Sequence, residues 1–404
     1  MEGKGIKYLK GDRVIWLIFL CLCMISIIEV FSASSRLTFG KESYWAPILN
    51  HFSHIALGSL IVFFVHLVPY RYYRIAPFFL VPISAIMLLY LFVKGMGSSD
   101  ASRWIDLGFI NFQPSELAKM AVVMSVAAML ASMRNDELSQ SKVFWRIITL
   151  TGGFCVFIMV ENLSTALLLG LVVLLMMYIG HVSWKKLGLL SLIVGGGSLI
   201  IVLFMLLTPP AKMQQMRLPD RFPTWQARIQ DFFEGDKKLS PREFALTVAK
   251  DKPQETHANI AIASSNIFGK GPGNSNERDF VQEASCDFIY SIIIEELGLL
   301  GGVIVLLLYF WILIRAGKIA RRCKTRFPAY LLMGIAMLIG TQALMNMAVA
   351  VGLMPVTGQP LPLISKGGTS ILINCVYIGI ILGISRGLDA EEFEEEAENA
   401  GIWK

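Results

Sequence analysis

Charge is what this chain has least of: Asp, Glu, Lys and Arg make up 16% of its 404 residues, against about 25% in an ordinary soluble domain. That scarcity excludes a typical soluble enzyme. Cysteine is also scarce and scattered. Cys21, Cys23, Cys155 and Cys375 fall in apolar runs and Cys323 lies in a basic loop, which leaves Cys286 alone just past the long loop, on its side, so neither a disulfide framework nor a thiolate metal site is expected. No G-x-x-x-x-G-K-[ST] occurs, which argues against a nucleotide cofactor and against an ATP-driven pump in this one chain. The five histidines include His51 and His54 at helical spacing, with no third metal ligand in view. They read as polar residues at a helix entrance.

Apolar residues are abundant. They reach 55% with a mean hydropathy of +0.60, so lipid is the solvent for most of the chain. Runs long enough to cross a bilayer span residues 14–34, 49–68, 76–94, 116–133, 144–160, 163–180, 187–208, 285–314, 328–350 and 367–386. They lack the period-2 alternation of barrel strands. The expected fold is an all-α polytopic membrane protein of about ten transmembrane helices. Residues 1–386 then form one transmembrane domain, with a large loop (209–284) between the seventh and eighth helices. Residues 387–404 form an acidic tail, in which Asp389, Glu391, Glu392, Glu394, Glu395, Glu396 and Glu398 crowd together.

An even number of helices puts both termini on one side. The short loops there carry nineteen Lys and Arg, while the opposite side, outside the long loop, carries Arg36, Lys41, Lys94, Arg103, Lys119 and Lys366. The positive-inside rule makes the termini cytoplasmic and the long loop extracytoplasmic. The net charge of +6 is mostly this topology signal, so no nucleic-acid partner is inferred. The acidic tail reads as a solvated face or as a docking segment for a basic partner.

Unusual chemistry gathers in four stretches on the side of the long loop. In Q-P-S-E-L-A-K (113–119), Ser115 is a candidate helix cap. Lys119 falls one turn inside the span, where an ionisable residue is expensive; it either serves function, snorkels or pairs with Glu116. Glu161 to Thr165 form a tight turn whose polar groups suit its backbone. In G-L-M-P-V-T-G-Q-P-L-P-L-I-S-K-G-G-T-S (352–370) three prolines forbid regular helix between apolar flanks. Non-helical backbone at membrane depth survives only where protein buries it or where it lines a polar cavity, so Ser365 and Lys366 are candidate cavity groups. In the long loop, residues 219–235 read as an interfacial amphipathic helix whose Arg221 and Arg228 suit a lipid phosphate. The glycine-rich stretch 264–275 reads as re-entrant.

The long loop ends at Asp287, with Ser291 and Glu295 following at i+4 and i+8. A carboxylate at a helix mouth, where water and a membrane-borne substrate both arrive, is the best general-base or metal candidate here, with helix capping as the alternative. Glu295 and Glu296 read as braces between helices.

Taken in order, Arg103-Trp104 with Gln113 to Lys119, Asp287-Phe288-Ile289 with Glu295 to Gly298, and Pro355 to Gly358 running into Pro360 to Pro362 and Ser365 to Ser370 resemble the SEDS family. Its members are the polytopic glycosyltransferases of bacterial shape, elongation, division and sporulation, and the resemblance spans nearly the whole chain. It is nearest to the cell-division members, with the elongation members second. The resemblance implies an inverting, lipid-linked glycosyltransferase of the bacterial cytoplasmic (inner) membrane, a peptidoglycan polymerase that assembles lipid II into glycan strands at the outer face. It implies Asp287 as base or as ligand of a divalent cation (Mg or Mn). Glu116, Lys119, Arg103, Arg221, Arg228, Ser365 and Lys366 are the candidate substrate and pyrophosphate contacts. A class B penicillin-binding protein, other divisome proteins and membrane lipid are the implied partners. Two departures stand out: Ser285-Cys286 replaces the family's usual His-Thr, and Glu161-Asn162 its Pro-Asp. The competing readings are a lipid II flippase, whose polar groups belong nearer the midplane, and a scaffold without catalysis.

Overall fold

A computed structural model describes residues 10–33, 46–95, 104–106, 111–134, 136–208, 221–234, 253–280 and 286–399. The helices are α1 (Arg13–Ala33), α2 (Ala46–Leu67), the short α3 (Tyr70–Tyr73), α4 (Ala76–Gly95), α5 (Pro114–Ala131), α6 (Glu137–Glu161), α7 (Leu163–Ile179), α8 (Trp184–Leu207), α9 (Arg221–Glu234), α10 (Pro253–Ser264), α11 (Ile289–Arg322), α12 (Arg326–Ala350) and α13 (Gly368–Asn399). The only sheet among the described residues is a two-residue hairpin, β1 (Ile105–Asp106) against β2 (Asn111–Phe112). Nine of these helical segments are long and apolar enough to cross a membrane. With 17 residues, α7 completes the ten expected spans. The last helix runs beyond its expected end at 386, carrying most of the acidic tail as continuous helix to Asn399.

Burial sorts the helices into layers. α5, α12 and α13 are central, each with two thirds or more of its span covered by protein, whereas α8 is peripheral with 6% covered. Helices apolar on all sides are what both positions require, because the core and lipid are equally apolar. At the end that holds the termini, Asp12 accepts from Val14 N and Ile15 N, capping α1, and its second oxygen meets Arg315 Nε at 2.6 Å. Arg322 pairs with Asp389 at 2.9 Å.

At the other end, called here the loop end, α11 is broken at Gly298 (φ 76, ψ 179). A break strands carbonyls on one side and N–H groups on the other. The glycine-rich stretch supplies the missing partners: Lys270 N and Gly271 N donate to Glu295 O and Glu296 O, and Leu299 N and Leu300 N donate to Asn266 O and Ile267 O (2.8 to 3.2 Å). The two carboxylates of the motif clamp the same stretch. Glu295 accepts from Lys270 Nζ at 2.6 Å, Asn276 N at 3.0 Å and the Ser275 hydroxyl. Glu296 accepts from Gly273 N at 2.9 Å, Ser275 N at 3.3 Å and the Ser32 hydroxyl of α1. These acids therefore brace a loop onto a broken helix, and tie α1 into the same knot.

A Cβ on Gly298 would sit 2.3 Å from Ile267 O, and the positive φ adds about 1–2 kcal/mol for any L side chain. Gly298→Ala is therefore expected to lower the thermal unfolding midpoint of the detergent-purified protein by several degrees. An unchanged midpoint would show that the clamp contributes nothing to stability.

Candidate functional site

The turn 286–288 lies at the loop end, before α11 begins. Asp287 does not cap that helix: the cap position is Phe288, with no side-chain hydrogen bond. The turn is held through its backbone instead. Asn346 Nδ2 on α12 donates to Asp287 O at 2.9 Å and to Gln359 O at 2.8 Å, spending both amide hydrogens. Ser365 Oγ donates to Cys286 O at 2.6 Å and accepts from Leu361 N at 2.7 Å, and Cys286 Sγ reaches Lys366 O at 3.1 Å. Asp287, Ser365 and Lys366, separated by some eighty positions in sequence, thus share one place. Because Asp287 precedes the helix, it does not extend the face of Ser291 and Glu295. Ser291 Oγ donates to Ala350 O at 3.2 Å and Glu295 belongs to the clamp.

The proline-rich segment 351–367 is non-helical; residues 351–354 are exposed, and the chain turns inward from Pro355 to the fully buried 361–365. Its carbonyls are met by side chains from all around the bundle. Asn162 Nδ2 donates to Thr357 O (3.2 Å), Arg228 to Val356 O (3.1 Å), Gln342 Nε2 to Pro360 O (3.1 Å), the Tyr309 hydroxyl to Pro362 O and Ser26 Oγ to Ile364 O (2.7 Å). Gln359 Nε2 donates in turn to Thr165 Oγ1 at 2.5 Å. Enclosure on this scale holds Leu363 at φ 66, a left-handed conformation costly for a bulky residue.

Two expected phosphate contacts are placed within this scaffold. Lys119 is fully buried, and its ammonium donates to Glu116 Oε1 at 2.8 Å and Gln342 Oε1 at 2.9 Å. It is neither snorkelling nor open to the loop end, and through Gln342 it acts on Pro360. Arg228 on α9 is directed at the Val356 carbonyl. α9 is fastened to the end of α8, where Gln226 Nε2 and Gln230 Nε2 both donate to Met205 O (3.0 and 3.2 Å). Arg103 and the side chain of Arg221 lie outside the described residues. Ser115 does not cap α5: Gln113 holds the cap position and Pro114 the first helical turn. Asn162 does cap α7, accepting from Ser164 N and Thr165 N (3.0 and 3.3 Å).

Sequence reasoning passed over Gln342 and Asn346. The available signal was two amides at i and i+4 in an apolar span, where polar side chains need partners. As for a cation, no three metal-ligating side chains converge among the described residues. A lone Asp287 fits Mg²⁺ or Mn²⁺ only in the mode where waters and substrate phosphates complete the shell.

These features define a polytopic membrane protein whose polar site is built at one end of the bundle around a break in regular helix. The family model described as "Cell cycle protein", covering FtsW, RodA and SpoVE, matches residues 12–389, and the chain belongs to that family. It is 30% identical over 400 residues to the probable peptidoglycan glycosyltransferase FtsW of Hahella chejuensis, covering 94% of this chain and 91% of that one. The peptidoglycan glycosyltransferase MrdB of Escherichia coli K12 is 27% identical over 381 residues, 92% of this chain and 93% of that one. Among solved structures, a chain of a peptidoglycan synthase complex that coordinates polymerization and crosslinking superposes with a TM-score of 0.68 at 22% identity, over 94% of this chain and 99% of that one. The rod shape determining protein RodA of Thermus thermophilus gives 0.63 at 22% identity, over 94% and 98%.

Proposed function

We propose that the chain is a peptidoglycan glycosyltransferase that polymerises lipid II at the outer face of the bacterial cytoplasmic membrane, with Asp287 at its centre. The observation that carries this reading is the placement of Asp287: an acid just ahead of α11, on a turn anchored from α12 and the proline-rich segment. Family membership and the names of the relatives support it.

Asp287 would take the proton from the acceptor sugar hydroxyl as that oxygen attacks the donor's anomeric carbon. The bond from that carbon to the pyrophosphate breaks, its electron pair leaves with the lipid pyrophosphate, and configuration inverts. Lys366 is the cation best placed to neutralise the departing charge. A divalent ion, where bound by Asp287 and the substrate's phosphates, would supply the same neutralisation. Lys119, Glu116, Ser365 and Arg228 serve one step removed, by fixing the segment that shapes the site. The positive-inside pattern supports an extracytoplasmic loop end, the side on which this reading has lipid II consumed.

The modest length and short loops lead us to assign the chain to septal rather than elongation synthesis, in a complex with a class B penicillin-binding protein. Rescue of an FtsW-depleted strain, and not of a RodA-depleted one, is the result this assignment requires.

The direct test is polymer formation from purified lipid II by the full-length protein with its partner transpeptidase. Glycan strands are expected. Their absence, in an assay where an established polymerase works, would overturn the reading.

A further inference from the structure

His51 and His54 stand three residues apart on α2, on the side that meets α13. The two helices pack closely along a glycine seam: a Cβ on Gly58 would lie 2.6 Å from Cys375 Sγ, and one on Gly379 would lie 2.7 Å from Val65 Cβ. At the loop end of the same seam, a Cβ on Gly368 would lie 3.0 Å from His54 Nε2. The half-buried His54 ring therefore rests on the first residue of α13. Lys366 is two positions away, and its carbonyl takes the Cys286 thiol beside Asp287.

Hydrogen bonds settle how the two rings carry their protons. His54 Nδ1 lies 2.6 Å from Asn50 O. A carbonyl only accepts, so Nδ1 bears a hydrogen, and Nε2, the atom against Gly368, is the ring nitrogen left for a ligand. His51 is committed elsewhere. Its Nε2 meets Ser26 Oγ at 2.9 Å, and since the Ser26 hydrogen goes to Ile364 O, His51 donates and helps to hold the proline-rich segment. Among the described residues, the titratable groups that these contacts place along the seam are His51 from α2, Cys375 from α13 and Lys366 from the segment before it; α1 contributes the neutral Ser26.

We propose that protonated His54 Nε2 donates a hydrogen bond to the pyrophosphate of the lipid-linked donor and, with Lys366, holds its charge as it departs. This rests on the glycosyltransferase reading. The hydroxyl proton goes to Asp287, the anomeric bond's electron pair goes to the pyrophosphate oxygen, and His54 shares its hydrogen with that pyrophosphate, so no further reactant is needed. An imidazole whose other nitrogen is fixed by a backbone carbonyl is oriented before substrate arrives, as functional histidines commonly are.

The test is binding of undecaprenyl pyrophosphate to the purified full-length protein at several values between about pH 5 and about pH 8, the range over which histidine changes charge. Wild type is expected to bind more tightly toward acid pH. His54→Gln is expected to bind roughly tenfold more weakly at the acid end, the scale of one charged hydrogen bond, and to lose the pH dependence. Gly368→Ala pushes the ring from its seat and should weaken acid binding too; it carries the comparison if His54→Gln does not fold. Inorganic pyrophosphate should compete, whereas competition by phosphatidylglycerol vesicles of equal strength would show that His54 reads any anionic lipid and would sink the assignment. Equal affinity and equal pH dependence in wild type and His54→Gln would also overturn it. If wild type shows His54-dependent binding but makes no polymer, the polymerase reading fails while the pyrophosphate contact stands.

Discussion

Asp287→Asn is expected to abolish glycan polymerisation while leaving the protein folded. The change removes the charge and the basicity of the side chain at almost constant volume. It spares the contacts that seat the turn, because those use the backbone: Asn346 Nδ2 holds Asp287 O, and Ser365 Oγ holds Cys286 O. A general base contributes about 10²- to 10⁴-fold to a rate, so the turnover number should fall by at least roughly a hundredfold with the unfolding midpoint within a degree or so of wild type. Adding a chelator to the wild type separates the two roles open to this carboxylate. Sensitivity would add the cation to the site, and insensitivity would leave Asp287 as base alone. Full activity of Asp287→Asn would remove both roles together.

The second large effect is on stability. Lys119 and Glu116 are both buried, with Gln342 closing the group. Removing one partner of such a pair strands the other charge in a dry interior, at about 3–5 kcal/mol. Lys119→Met should therefore accumulate poorly or melt well below wild type. The double variant Lys119→Met/Glu116→Gln removes both charges, and its midpoint should recover most of the loss. Activity of the double variant then distinguishes two roles. If Lys119 acts by setting Gln342 against Pro360, activity returns with the fold. A recovered midpoint with turnover still down by a hundredfold would instead assign Lys119 to the chemistry.

Much of the fold was legible in the sequence because a bilayer imposes one requirement on every span, and ten apolar runs meet it. The break at Gly298 was not legible. Glu295-Glu296-Leu297-Gly298 sits inside an apolar run that reads as continuous helix, and only the partners supplied by residues 266–271 make a gap tolerable there. The proline-rich segment showed that something irregular had to be enclosed. Which side chains enclose it was hidden, since Ser26, Asn162, Arg228, Tyr309 and Gln342 come from five separate places in the chain. Arg228 shows the limit most clearly. An arginine on an amphipathic helix near lipid suggests phosphate, yet its guanidinium here meets the carbonyl of Val356. The proximity of Lys119 to Glu116 could be read from their spacing, whereas Gln342, 223 positions later, could not. Ser115 misled because serine, not the proline before it, looked like the start of α5.

The enclosure of residues 355–367 has a consequence for biogenesis. During synthesis the helices enter the bilayer in chain order, and this segment emerges after all of them but the last. Until then the donors of Asn162, Tyr309 and Gln342 have no segment carbonyl to meet and Asn346 has only that of Asp287, which leaves polar hydrogens unmatched in hydrocarbon or in a loose bundle. The late segment is therefore a keystone: nascent chains that stop before it leave a bundle with unmatched donors at its centre. Such products should be recognised as unfinished by membrane proteases, and separately expressed halves of the protein should survive only when both are made together.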